Sequence, residues 1–137
     1  MITKLSRLVS QPILYRGFAY FWLAITCYLL FKPGFGFQEA MLFSGEDKAA
    51  HLILFANLSL LWSINIRFDL QMSRSKTVAI VLCLGIIFAA LSEWAQDFIP
   101  NRAMDIADFQ FDMLGVLIGT TLFFFIEKKL KSRKIEL

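Results

Sequence analysis

Residues 93–115 read EWAQDFIPNRAMDIADFQFDMLG. The stretch joins the end of one apolar run to the start of the next, and it carries five acids: Glu93, Asp97, Asp105, Asp108 and Asp112. Only 14 residues lie between Asp112 and Glu127, whereas a helix needs about 20 to cross a bilayer. The last apolar run must therefore start near Asp105–Asp108, which draws Asp112 into the membrane. Glu93 is held inside the preceding run in the same way. A charge so placed costs roughly 3 kcal/mol or more, so a partner is expected for each.

The rest of the chain fits that reading. Of 137 residues, 58% are hydrophobic and 18% charged, against about 45–50% and about 25% in soluble domains. Mean hydropathy is +0.62. These values predict an all-α, polytopic membrane protein. It is a four-transmembrane-helix bundle forming a single domain over residues 1–137, with no room for a separate soluble unit. The expected spans are Tyr15–Phe31, Ala49–Ile66, Thr77–Phe98 and the run that opens at Asp105–Asp108. Arg16 and Lys32 then have to snorkel outward. Cys27 and Cys83 each lie mid-run, which predicts small buried core residues in place of a disulfide or a metal pair.

Residues 1–14 place Ile2, Leu5 and Leu8 at helical spacing until Pro12 ends the pattern, as in a short interfacial helix or a plain basic flank. The segment PGFGFQEAMLFSGED (33–47) breaks the helix at Pro33, Gly34 and Gly36 but stays apolar. It is expected to lie on the membrane surface or to fold over a neighbouring site. Asn57 and Asn65 are expected to hydrogen-bond between helices. Trp62 and Trp94 fit aromatic belts, whereas Trp22 sits mid-span and does not. The tail EKKLKSRKIEL reads as a basic stop in contact with anionic lipid.

Orientation follows from the basic residues. Eleven of the fourteen Lys and Arg fall in the N-terminal flank, the middle loop and the tail; only Lys32, Lys48 and Arg102 fall in the other two loops. The positive-inside rule then places both termini in the cytoplasm. Because the basic residues flank spans and form no stripe or groove, nucleic acid is not an expected partner.

On that topology three stretches deliver polar groups to one leaflet. Asp47, Lys48 and His51 open the second span, Glu93, Gln96 and Asp97 close the third, and Arg102, Asp105, Asp108 and Asp112 lead into the fourth. Lys48 and His51 share a helix face, as do Glu93 and Gln96. Asp105, Asp108, Asp112, Gly115 and Gly119 form one stripe, acidic in its outer half and open to close helix approach in its inner half. The expectation is a membrane-embedded polar pocket in which carboxylates outnumber cations. Each buried acid must be neutralised, paired or bound to something.

His51 stands alone, so a zinc site is not expected; the ring is expected to hydrogen-bond Glu93 or an aspartate. The aspartates are able to hold Mg²⁺ or Ca²⁺ through oxygen. Arg102 either neutralises Asp105 and Asp108 or grips a phosphate or carboxylate bidentately. The plainest alternative is a salt-bridged polar cap that locks three helix ends together.

The motifs DKAAH (47–51), EWAQ (93–96) and PNRAMDIADFQFDMLG (100–115) resemble those of the VanZ-like family of small bacterial membrane proteins. The family pattern is D-K-x-x-H, then E-x-x-Q, then P-x-R-x-x-D-x-x-D-x-x-x-N-x-x-G. Asp47, Lys48, His51, Glu93, Gln96, Pro100, Arg102, Asp105, Asp108 and Gly115 occupy those positions. The similarity covers about residues 40–126. Asp112 stands where the family usually has Asn, adding a possible negative charge. The resemblance implies a multi-pass protein of the bacterial inner (cytoplasmic) membrane with a cell-envelope role, the family's namesake being associated with teicoplanin resistance. It implies no particular reaction and no cofactor.

Three functions are consistent with these residues. One is an accessory protein that binds the head group of an envelope lipid or a lipid-linked wall precursor. Lys48 and Arg102 would meet the anionic part; Glu93, Asp105 and Asp108 would accept hydrogen bonds or hold a bridging cation, with His51, Gln96 and Asp112 lining the site. The second is an enzyme acting on a lipid-linked substrate, with Glu93 or His51 as acid/base. The third is a structural or assembly role.

Overall fold

A computed structural model describes residues 12–33 and 45–134. They form four helices: α1 (Pro12–Phe31), α2 (Glu46–Phe68), α3 (Arg74–Gln96) and α4 (Ile106–Lys134). Each contains a window of at least 18 residues apolar enough to cross a membrane. The expected all-α, four-span architecture is what the chain adopts. The expectations for residues 1–11, for 34–44 and for the tail side chains beyond Lys129 lie outside the described residues.

α2 is the hub. It packs against α1, α3 and α4, and its seam with α4 is the most extensive in the molecule. The reason is visible in two small residues of α4. A Cβ on Gly115 would lie 2.5 Å from the Leu52 carbonyl oxygen, and one on Gly119 would run into Ala56 and Ser59 of α2. With only hydrogen at those positions the two backbones come into direct contact, the usual device where lipid offers no hydrophobic drive. Leu30, Leu54, Phe55, Ala89 and Val116 form the apolar centre that all four helices share. Large apolar side chains such as Phe21, Tyr28, Ile87, Leu117 and Phe125 are turned outward. Polar groups such as Thr26, Ser63, Ser92 and Thr120 are turned in. That inversion suits a hydrocarbon surround.

Several details depart from the sequence expectations. α2 begins at Glu46, three residues before the expected span start at Ala49, so Asp47 and Lys48 share the helix with His51 as their spacing implied. Gly45 turns the chain at φ 92, a left-handed conformation natural to glycine, and Glu46 and Asp47 sit in the first turn where carboxylates favour the helix dipole. α4 runs on to Lys134, and Glu127, read as part of a basic stop, is wholly buried. Neither cysteine is the buried core residue expected: Cys83 is exposed and Cys27 half-buried, and both are free thiols. Asn57 donates to Ile53 O of its own helix, 2.9 Å away, and not to a neighbour. Trp22, the misfit to the aromatic belts, donates from Nε1 to Leu54 O of α2 at 3.1 Å. Its place in mid-span is explained by that bond.

Candidate functional site

The polar residues gather at the end of the bundle formed by the start of α2, the close of α3 and the start of α4. What brings α4 into position is the connection from Asp97 to Asp105. Arg102 N–H bonds to Ile99 O at 3.1 Å across Pro100 and Asn101, and Asn101 has φ 60. Proline second and a positive φ third mark a type II turn. The chain then re-enters at Asp105, whose backbone N–H donates to Glu93 Oε2 at 3.1 Å. Asp105 Oδ1 accepts from Ala107 N–H at 2.8 Å, capping the first turn of α4. Glu93 thus holds α4 to the end of α3.

Lys48 answers two of the acids. Its Nζ lies 2.9 Å from Asp105 Oδ2 and 3.2 Å from Asp108 Oδ1. Asp105 lies outside the spans, and its carboxyl is held below the usual aspartate range, first by the Lys48 hydrogen bond and then by that from Ala107. Deeper in, His51 Nδ1 sits 2.9 Å from Asp112 Oδ1 and 3.7 Å from Glu93 Oε1. His51 is 1% exposed, Glu93 3% and Asp112 0%. The expectation that His51 hydrogen-bonds Glu93 or an aspartate is met by Asp112, with Glu93 close by but not bonded. Asp47 completes the group: it, His51 and Asp108 each bring a ligand atom within 4.8 Å of the others, as do His51, Glu93 and Asp112.

Two predicted site residues are placed elsewhere. Arg102 does not neutralise Asp105 or Asp108; its Nη2 donates to Leu29 O at 3.2 Å. Gln96 Nε2 donates to Leu30 O at 3.3 Å. Both side chains serve the last carbonyls of α1, which have no partner within their own helix. They fasten the end of α1 to the ends of α3 and α4. Asp97 is exposed beyond the end of α3.

One turn inward from the cluster, the same helices line an apolar groove of about 310 Å³. Phe55 follows His51 by four residues and Val116 follows Asp112 by four, so these two groove residues lie one turn inward from a cluster residue on the same helix face. Leu84, Ile87 and Leu91 of α3 border the groove and are exposed on the outer surface of the bundle, so the groove reaches the lipid-facing side.

A second polar group, at the opposite end of the bundle, is invisible in the spacing of the sequence. Glu127, 0% exposed, receives Arg67 Nε at 2.7 Å and also pairs with Arg74 Nε. Arg67 further donates to Met72 O at 3.0 Å, and Arg16 pairs with Asp69 beside it. The signal available in the sequence was an acid inside an otherwise basic tail. No protein-family model matches the chain, and neither do any curated protein and any solved structure.

Proposed function

We propose that this chain is a small VanZ-like protein of the bacterial inner membrane, both termini cytoplasmic, that binds an envelope amphiphile. The head group sits at the Lys48, His51, Glu93, Asp108 and Asp112 cluster and the acyl chain lies in the groove beneath it. The observation that carries this reading is a buried polar cluster with an apolar groove whose nearest residues, Phe55 and Val116, lie one helical turn inward from His51 and Asp112. In a bilayer the available occupant of a lipid-facing apolar groove is a lipid chain. Among the described residues the buried oxygens Glu93 Oε1 and Asp112 Oδ2 have no hydrogen-bond partner, which favours a head group that brings donors or a cation. The three motifs that resemble the VanZ-like family support the envelope assignment, and the basic flanks support the orientation.

A second reading is favoured by the His51–Asp112 contact. A carboxylate that orients an imidazole, with another carboxylate 3.7 Å across, is an arrangement suited to general acid/base work on a lipid-linked substrate. Mass spectrometry of co-purified lipids separates the two. Wild type is expected to retain a specific lipid that is lost from folded Glu93→Gln, Asp108→Asn and groove-filling Leu84→Trp variants. Accumulation in Glu93→Gln of a lipid that wild type converts would favour the enzyme. Identical lipid content in well-folded proteins would overturn both and leave a salt-bridged helix cap.

A further inference from the structure

We propose that His51, Glu93 and Asp112 form an intramembrane site for one divalent cation of the zinc or manganese type. The three side chains come from three helices, α2, α3 and α4, and each is more than nine-tenths buried. Each also carries a buried polar atom with no partner: His51 Nε2, Glu93 Oε1 and Asp112 Oδ2. Glu93 Oε1, which faces His51 Nδ1, and Asp112 Oδ2 are the two that an ion held by Nδ1 could satisfy, and native interiors leave few such groups unsatisfied.

The geometry suits a small ion. Donor atoms about 2.1 Å from a tetrahedral zinc lie about 3.4 Å from one another. The His51 Nδ1 separations of 2.9 Å from Asp112 Oδ1 and 3.7 Å from Glu93 Oε1 bracket that value. All three ligand atoms lie within 4.8 Å of each other, so a small inward movement of the side chains closes the set.

Charge points the same way. Lys48, the ammonium bonded within the cluster, is engaged by Asp105 and Asp108. Glu93 and Asp112, when ionised, therefore present two negative charges that a single dication would neutralise. Asp47 and Asp108, with oxygens within 4.8 Å of the imidazole, supply carboxylates around the first set of ligands. Asp108 is already bonded to Lys48, which is why the His51–Glu93–Asp112 set is preferred over the one with Asp47. The Glu93 oxygen turned away from His51 is fixed by Asp105 N–H. One nitrogen with carboxylate oxygens is a mixed donor set that favours zinc or manganese over the all-oxygen ions calcium and magnesium. The single histidine weighed against zinc when only sequence spacing was considered; the fold adds two carboxylates from distant positions.

This site stands whether or not a lipid docks, although a bound cation would give the acidic cluster a positive face for an anionic head group. The test uses the full chain purified in detergent, stripped with chelator and incubated separately with zinc chloride and manganese chloride. Metal analysis is expected to give about one ion per folded chain, with affinity falling by about tenfold or more in His51→Ala and Asp112→Asn. Asp97→Asn, an exposed acid at the same end, should bind as wild type does. X-ray absorption of the wild-type protein should show one imidazole among oxygen ligands, and this holds even if the variants fail to fold. Absence of uptake, binding that persists in both folded variants, or a metal shell without imidazole each overturns the proposal.

Discussion

Glu127 shows how the meaning of one residue depends on what the fold brings to it. In the sequence it precedes two lysines and reads as the start of a basic stop; in the structure Arg67 and Arg74 pair with it, and no part of it is exposed. A buried acid stripped of its partners is destabilising by about 3–5 kcal/mol. Arg67→Ala combined with Arg74→Ala removes two of the groups that hold Glu127 and is therefore expected to cost stability, by at most about that size, read as an earlier unfolding midpoint in detergent. Adding Glu127→Gln should recover most of it. No recovery would mean that the arginines act through packing and not through charge. Residue-scale reading of the sequence did better at the other end. Lys48, His51, Glu93, Asp105, Asp108 and Asp112 converge as their helical spacing implied. It failed for Arg102 and Gln96, because the open carbonyls at the end of α1 are a property of tertiary placement that no local pattern records.

At the scale of elements, the sequence was legible wherever helical period and bilayer length alone decide the outcome. The shortness of the run between Asp112 and Glu127 placed the start of α4 to within the span Asp105–Asp108, and α4 begins at Ile106. The glycine half of the α4 stripe pointed to a close neighbour, though not to which helix; the neighbour is α2. Gly119→Val is expected to force α2 and α4 apart, because even one carbon there meets Ala56 and Ser59. Overpacking of this kind costs about 1–3 kcal/mol and often more where backbone is the obstacle. The same displacement moves His51 away from Asp112, so the variant should lose whatever binds at the cluster as well as stability. Thermal unfolding and ligand retention measured on one preparation check both. Retained binding in a destabilised Gly119→Val protein would show that the two ends of the seam are independent.

For the whole molecule, the four-span count was readable from composition, whereas the convergence of polar groups at two opposite ends was only half readable. The acidic end announced itself through charge within apolar runs. The arginine end did not, since Arg67 and Arg74 are separated from Glu127 by more than fifty residues. Orientation is the property to test at this scale. In a protein lacking Cys27 and Cys83, a cysteine at exposed Ala103 should react with a membrane-impermeant maleimide on intact spheroplasts. One at exposed Ser75 should react only after permeabilisation. The reverse pattern would overturn the assignment of cytoplasmic termini.

The groove bordered by Leu84, Ile87 and Leu91 has an implication for selectivity. A site entered from the plane of the bilayer is surrounded by lipid at a concentration that no aqueous solute reaches. Filling it requires little affinity, and every neighbouring chain competes on nearly equal terms. On the proposed lipid-binding reading, discrimination falls to the polar end, where a mismatched head group would leave Glu93 and Asp112 without donors. The protein would act as a filter on membrane composition, one that ranks lipids by head group against a background of abundant alternatives.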